Sequence, residues 1–364
     1  MSHRQLLPRD VPVQLINADG KADSDDVYLA ASPTALTDGY RSLVVSRRIN
    51  DQCYALVRQG RLAVYPSSYG QEACQVAAVS VLDDGDWLFP TYRDSVSLML
   101  RGIAPADALT LLRGDWHCGY NPHEFRVAPQ STPLATQLIH AVGFAHAAVL
   151  KGEPTVVMAL CGDGATSEGD FHEAMNFAAV FHLPVVFFVQ NNRFAISVPF
   201  SKQSAAESLA HKAAGYGMPG EQVDGNDLAA LLAVLGIAVD RARSGGGPTL
   251  VEAHTYRMQA HTNADDDTRY RDSGEVQAWA ARDPLVRLRK YLRGKNALDD
   301  AEETAFAAEA DEIATTLRDA LNTDVQPDAG ELFRHVYATS TPQLDEQWAS
   351  LQGELERSED GAKS

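Results

Sequence analysis

The chain has 364 residues, enough for one large α/β domain with additions or for two domains. Asp and Glu outnumber Lys and Arg by 49 to 31, and the formal net charge of −18 argues against a general binder of nucleic acid or of anionic membrane, either of which needs a basic surface. The start, MSHRQLLPRDVPVQ, has no apolar core behind a basic end, no apolar run is long enough to span a bilayer, and Cys53, Cys74, Cys118 and Cys161 stand far apart, so a reducing, cytoplasmic location is expected.

Residues 1–35 are polar and mixed and read as an arm lying on another part of the molecule. From Thr37 to Gln59, Leu43, Val44, Ile49, Tyr54 and Leu56 recur roughly three or four apart, which predicts a helix. Gly70 to Val81, with QEACQVAAVSV, predicts a helix of small residues that neighbours can approach closely. Trp87, Leu88 and Phe89 predict a short strand that delivers Pro90, Thr91, Tyr92, Arg93 and Asp94 at its end, where α/β proteins place ligand contacts. Residues 114–133 read as a loop rich in aromatics, and Leu134 to Leu150 as an alanine-rich helix. TVVMAL (155–160) and VVFFVQ (185–190) are uninterrupted apolar runs suited to strands buried on both faces of a parallel sheet, with a crossover helix between them. A helix over Asp227–Ala242, a loop at SGGGP (244–248) and a third buried strand at TLVEAHTY (249–256) follow. From Pro284 the chain reads helical and highly charged. The alternation predicts an α/β fold with a doubly wound, mainly parallel sheet: an arm over 1–35, an α/β domain over 36–283 and a helical extension over 284–364 packed on that domain.

The segment CGDGATSEGDFHEAMNFAAVFHLPVVFFVQNN (161–192) has the strand–turn–helix–strand form of a nucleotide site, yet matches no common nucleotide template. Ser167 stands where a dinucleotide fingerprint needs its third Gly or Ala, no Gly-Lys-Ser/Thr of a P-loop follows, and the flanked residue is Asp163 rather than the serine of a nucleophile elbow. An aspartate at that turn would repel a diphosphate unless a divalent cation lay between them, and Mg²⁺ commonly joins one or two protein oxygens to phosphate oxygens. Asp163 then supplies one ligand and Asn192 a second from the end of the next strand, with the Phe194 carbonyl completing the set. Gly162 and Gly164 permit a sharp turn and close approach. Ser167, with Asp170 three residues on, is expected to cap the following helix. The plainer alternative is a turn-stabilising aspartate and a strand that ends in asparagines.

These residues resemble the thiamine diphosphate motif, Gly-Asp-Gly through to Asn-Asn. Together with YGQEA (69–73), TYRD (91–94), STPLATQ (131–137), VDGND (223–227) and TYRMQAHTNADDDTRYR (255–271), the chain is similar to the alpha subunits of heteromeric 2-oxo acid dehydrogenases, from about residue 35 to beyond 340. The resemblance implies the thiamine diphosphate-binding fold and oxidative decarboxylation of a 2-oxo acid, with the acyl group passed to a lipoyl arm of an acyltransferase component. It also implies Tyr92 and Arg93 on the diphosphate, with Thr132 beside the cofactor. Gly164 and Ala165 meet the diphosphate through their backbone, and Asp163, Asn192 and the Phe194 carbonyl hold Mg²⁺. Ser131, Pro133, Thr136 and Gln137 match a K⁺ site, Leu134 an apolar wedge near the cofactor rings, and His261 the histidine heading a loop at the reacting carbon, where an imidazole assists proton transfer. Arg257, Asp265, Tyr270 and Arg271 match residues that order this loop. Thr262 stands where animal relatives bear a regulatory phosphoserine, so control by a dedicated kinase is not expected.

Gln190 replaces an arginine found in many relatives, which removes a positive charge near the diphosphate. His117, Cys118 and His123 fit no standard zinc spacing. The glutamate that activates the aminopyrimidine belongs to a second α/β domain for which the chain is too short. The resemblance assigns it to a beta subunit, in a heterotetramer of two alpha and two beta chains. STPLATQ resembles the branched-chain type and points to acids such as 3-methyl-2-oxobutanoate, with pyruvate or acetoin as alternatives. A non-catalytic interaction subunit would have no need for Tyr92, Arg93, Asp163, Asn192 and His261 together.

Overall fold

The computed structural model describes residues 6–323 and 328–362. Its strands are β1 (Trp87–Phe89), β2 (Val157–Gly162), β3 (Val185–Asn191), β4 (Phe194–Ala195), β5 (Val198–Pro199), β6 (Gly220–Asp224) and β7 (Thr249–His254). Five of them form one parallel sheet in the order β1-β2-β3-β7-β6, while β4 and β5 make a small antiparallel hairpin just past the end of β3.

The apolar runs are uninterrupted because both faces of this sheet are covered. On one face Leu88, Met158, Leu160, Val186, Phe188 and Val251 pack with the Glu72–Ser80 and Leu228–Arg243 helices through Ala73, Ala77, Leu231 and Leu235. On the other, Trp87, Val157, Ala159, Phe187, Val189 and Leu250 pack with Ala141, Ala145, Phe171 and Met175 from the Thr136–Lys151 and Gly169–Val180 helices. Successive strand residues alternate between the two layers, as a strand's two-residue period requires. A fully buried side chain such as Phe187 or Phe188 contributes about 2–3 kcal/mol.

The first long helix runs Pro33–Arg58, four residues ahead of the Thr37 expected from apolar periodicity. Its start is set by polar chemistry: Ser32 caps the Ala35 amide and Pro33 occupies the first turn. The N-terminal arm is built into the sheet. Val13 bridges to Val223, and the Leu15 and Ile16 amides each donate to Asp227 Oδ2 at 2.7 Å. The strand that receives the arm, β6, is short and mixed in polarity (GEQVD) and has no apolar run to announce it.

One expectation is corrected. Ser167 does not cap the crossover helix. A 3₁₀ turn over Asp163–Ser167, closed by Thr166 Oγ1 on the Asp163 carbonyl at 2.9 Å, delays the helix to Gly169, with Glu168 at the cap position and no side-chain cap. The helices after residue 284 fall in two compact units. The Pro284–Gly294 and Asp300–Leu321 helices belong to the compact unit that ends at Asn322, where Arg41–Glu309 and Arg48–Asp311 ion pairs join the latter helix to Pro33–Arg58. Residues from Thr323 onward form a second unit, in which the Pro342–Ala362 helix carries Trp348 against Phe333, ring centroids 5.4 Å apart. Among the described residues no helix is long and apolar enough to cross a membrane.

Candidate active site

The carboxyl ends of β1, β2 and β3 open on a cavity of about 450 Å³. Tyr92 and Arg93 reach it from beyond β1, Asp163, Gly164 and Ala165 from the turn after β2, and Gln190, Asn192 and Phe194 from β3 and the hairpin. Ser131, Pro133, Leu134 and Gln137 line it from the segment before and at the start of the Thr136–Lys151 helix, and Arg257 and His261 from the chain after β7. Thr132 and Thr136 are not in its lining, although both belong to the same segment.

The pairing Gly162↔Gln190 brings Asp163 and Asn192 together, because both follow closely on neighbouring parallel strands. Asp163 is buried, and its Oδ2 has no hydrogen-bond partner. Burial is the main reason that its carboxyl is pushed up to about 6. The Asn192 side chain is buried beside it. A buried carboxylate oxygen without a donor, next to an amide, is a ligand set for a hard cation and is costly without one. Gly164 lets the turn come close to the hairpin, since a Cβ there would stand 3.0 Å from Ala195 Cβ. Ala135, Arg193 and Ile196, at φ 63°, 77° and 56°, hold backbone in the left-handed region around the cavity.

The same cavity has a cationic lining. Arg93 Nη1 donates to the Ser67 carbonyl at 2.8 Å, and Arg93 Nη2 reaches His261 Nδ1 at 3.0 Å. Arg257 Nη1 approaches the same Nδ1 at 3.2 Å, while its Nη2 donates to the Ile196 carbonyl at 2.8 Å and meets the Tyr270 hydroxyl at 2.9 Å. Two guanidinium donors make Nδ1 an acceptor, so the imidazole proton sits on Nε2. Burial first, then the two arginines, lower the His261 pKa to about 3, so the ring is a neutral Nε2–H donor at physiological pH. The loop is tied as expected: the His261 amide and the Tyr270 hydroxyl both donate to Asp265, and Arg271 pairs with Asp267 at 2.7 Å.

Gln137 donates its amide to the Leu160 carbonyl at 2.8 Å, which locks the start of its helix onto β2. His117, Cys118 and His123 do not converge: Cys118 donates to the Tyr120 carbonyl, and the two rings pack on Trp116 and Trp87. Sequence reasoning missed Gln71, which lines the cavity, and Gln203, whose amide donates to the Asp163 carbonyl. Gln71 lies inside YGQEA, where the motif itself was the available signal, whereas nothing in the sequence marks Gln203.

A dehydrogenase E1 component family model matches residues 40–326. The chain belongs to the dehydrogenase E1 component family. It is 48% identical over 349 residues to the 3-methyl-2-oxobutanoate dehydrogenase subunit alpha of Mycobacterium tuberculosis (strain ATCC 25618 / H37Rv), covering 96% of this chain and 95% of that one. It is 37% identical over 338 residues to the pyruvate dehydrogenase E1 component subunit alpha of Staphylococcus aureus (strain N315), covering 92% and 91%. Dehydrogenase E1 components depend on thiamine diphosphate. The cavity fits that group: Arg93, Arg257 and Lys202 bring positive charge for a diphosphate, and the orphaned Asp163 Oδ2 suits the cation that would accompany it.

Proposed function

We propose that this chain is the alpha subunit of a branched-chain 2-oxo acid dehydrogenase acting on acids such as 3-methyl-2-oxobutanoate, in the cytoplasm. The observation that carries the reading is Asp163 Oδ2, buried without a donor at the crevice between β2 and β3 in a chain of this family. Thiamine diphosphate, when bound, supplies the electron sink that lets a 2-oxo acid lose carbon dioxide.

The residues divide the work of holding it. Asp163, Asn192 and the Phe194 carbonyl hold Mg²⁺, while Tyr92, Arg93 and the Gly164 and Ala165 backbone bind the diphosphate. Leu134, which is partly exposed at the cavity, wedges against the rings. Thr132 supports that contact from its neighbouring position. Ser131, Pro133, Thr136 and Gln137 steady their loop around K⁺. His261 presents Nε2–H to the reacting substrate and later to the lipoyl group. Because Nδ1 is occupied by two arginines, it acts as a fixed hydrogen-bond donor rather than as a base at neutral pH.

The relatives are alpha subunits by name, so a beta subunit completes the site with the activating carboxylate, and a lipoyl-bearing acyltransferase accepts the product acyl group. The higher identity to the 3-methyl-2-oxobutanoate enzyme favours branched acids, and the relative acting on pyruvate supports the second reading. The test is decarboxylation with a dye acceptor by the chain co-expressed with its beta subunit, with thiamine diphosphate and Mg²⁺ added. The branched acid is expected to be turned over faster than pyruvate, and the chain alone is expected to be inactive. A preference for pyruvate would transfer the same mechanism to that substrate. Turnover without a partner would refute the divided site.

A further inference from the structure

Beneath the cavity runs a buried row of amides. Asp94 is wholly buried, and its Oδ2 accepts the Thr91 amide at 2.8 Å and the Thr91 hydroxyl at 2.7 Å. Its Oδ1 accepts Gln75 Nε2 at 3.1 Å and Gln190 Nε2 at 2.7 Å. Gln190 Oε1 accepts Gln71 Nε2 at 2.9 Å, and Gln71 Oε1 accepts Asn192 Nδ2 at 3.2 Å. At the far end Asn192 Oδ1 accepts the Phe194 backbone amide at 3.3 Å.

Both ends of the row have fixed polarity. A carboxylate with four donors can only accept, and a backbone N–H can only donate. Each amide between them therefore has one permitted orientation. We infer that Gln71 and Gln190 are positioning residues that relay the polarity of Asp94 to Asn192, holding its amide with oxygen rather than nitrogen turned to the metal. The inference rests on the reading of Asp163 and Asn192 as the Mg²⁺ site. It also accounts for the glutamine at position 190, since a glutamine can donate to Asp94 and accept from Gln71 at once, which an arginine, carrying donors only, cannot do.

The same logic supplies a rescue. Gln190→Arg would still pair with Asp94 but would turn the Gln71 oxygen towards itself, leaving the Gln71 nitrogen against Asn192 Nδ2. Adding Gln71→Glu restores an acceptor to both neighbours and leaves the net charge unchanged. Gln71→Leu simply cuts the row.

The experiment uses the full chain in complex with its beta subunit. It reads the Mg²⁺ concentration that gives half of the thermal stabilisation by thiamine diphosphate, a measurement that needs no turnover. Gln71→Leu and Gln190→Arg are each expected to raise that concentration by about 10- to 100-fold, the usual cost of losing a group that orients a metal ligand. The Gln71→Glu/Gln190→Arg pair is expected to return most of the loss. A space-filling role would leave the Mg²⁺ requirement at the parent value in Gln71→Leu, or would leave the pair no better than Gln190→Arg, and either result overturns the relay. If Gln71→Leu does not fold, the arginine variant and the pair decide. Parent protein that shows no Mg²⁺-dependent stabilisation would overturn the metal site, and the relay with it.

Discussion

Asp163 is buried with one carboxylate oxygen unpartnered. Its folded-state pKa of about 6 lies above its ordinary value of 3.8, so the protonated form is the one that folding favours. That contribution is complete below about pH 4 and is lost as the pH rises through 6. At pH 8, without metal, the buried charge costs about 3 kcal/mol. Asp163→Asn is therefore expected to be more stable than the parent to urea at pH 8 in the absence of metal and cofactor. The gap should narrow as the pH falls from 7 towards 5. A variant less stable than the parent at pH 8 would show that the carboxylate has a partner in the fold. Asp163, Asn192 and His261 were legible because each is a rare choice at a strand end or loop head with chemistry to match. Gln203 was not, since its partner, the Asp163 carbonyl, is 40 positions away in sequence, and Gln71 was marked only by the YGQEA motif that contains it.

At the scale of elements, the buried strands could be read from composition, because VVFFVQ and TVVMAL have no polar face to assign to solvent. β6 could not: GEQVD gains its place from the arm and from β7, both remote in sequence. The 3₁₀ turn that displaced Ser167 from its expected cap has the same origin, because Gln203 and the hairpin hold the turn from outside. Asp227 joins two elements at one point. Its Oδ2 accepts the Leu15 and Ile16 amides of the arm, and its Oδ1 the Ala229 and Ala230 amides at 3.0 and 3.3 Å. Asp227→Ala strips a helix cap and leaves two buried arm amides without an acceptor, an expected loss of about 3 kcal/mol. Hydrogen exchange should show the amides of Leu15 and Ile16 losing protection before those of β2 and β3. Uniform loss across the sheet would mean that the arm is not separately anchored.

For the molecule as a whole, the doubly wound sheet sets the crevice where neighbouring strands end, and the acidic surface plays no part in that choice. The sequence predicted this architecture from the alternation of runs, whereas the boundary at Asn322 between the two compact units carries no local mark. Under the proposed function, one carboxylate acting through a divalent cation lets an acidic chain bind a diphosphate. Calorimetric titration of the complex with thiamine diphosphate, with Mg²⁺ and with chelator, tests it most directly. The parent is expected to bind only with Mg²⁺, and Asp163→Ala to lose the Mg²⁺-dependent binding. Equal binding by parent and variant, or binding that ignores the metal, would contradict the account.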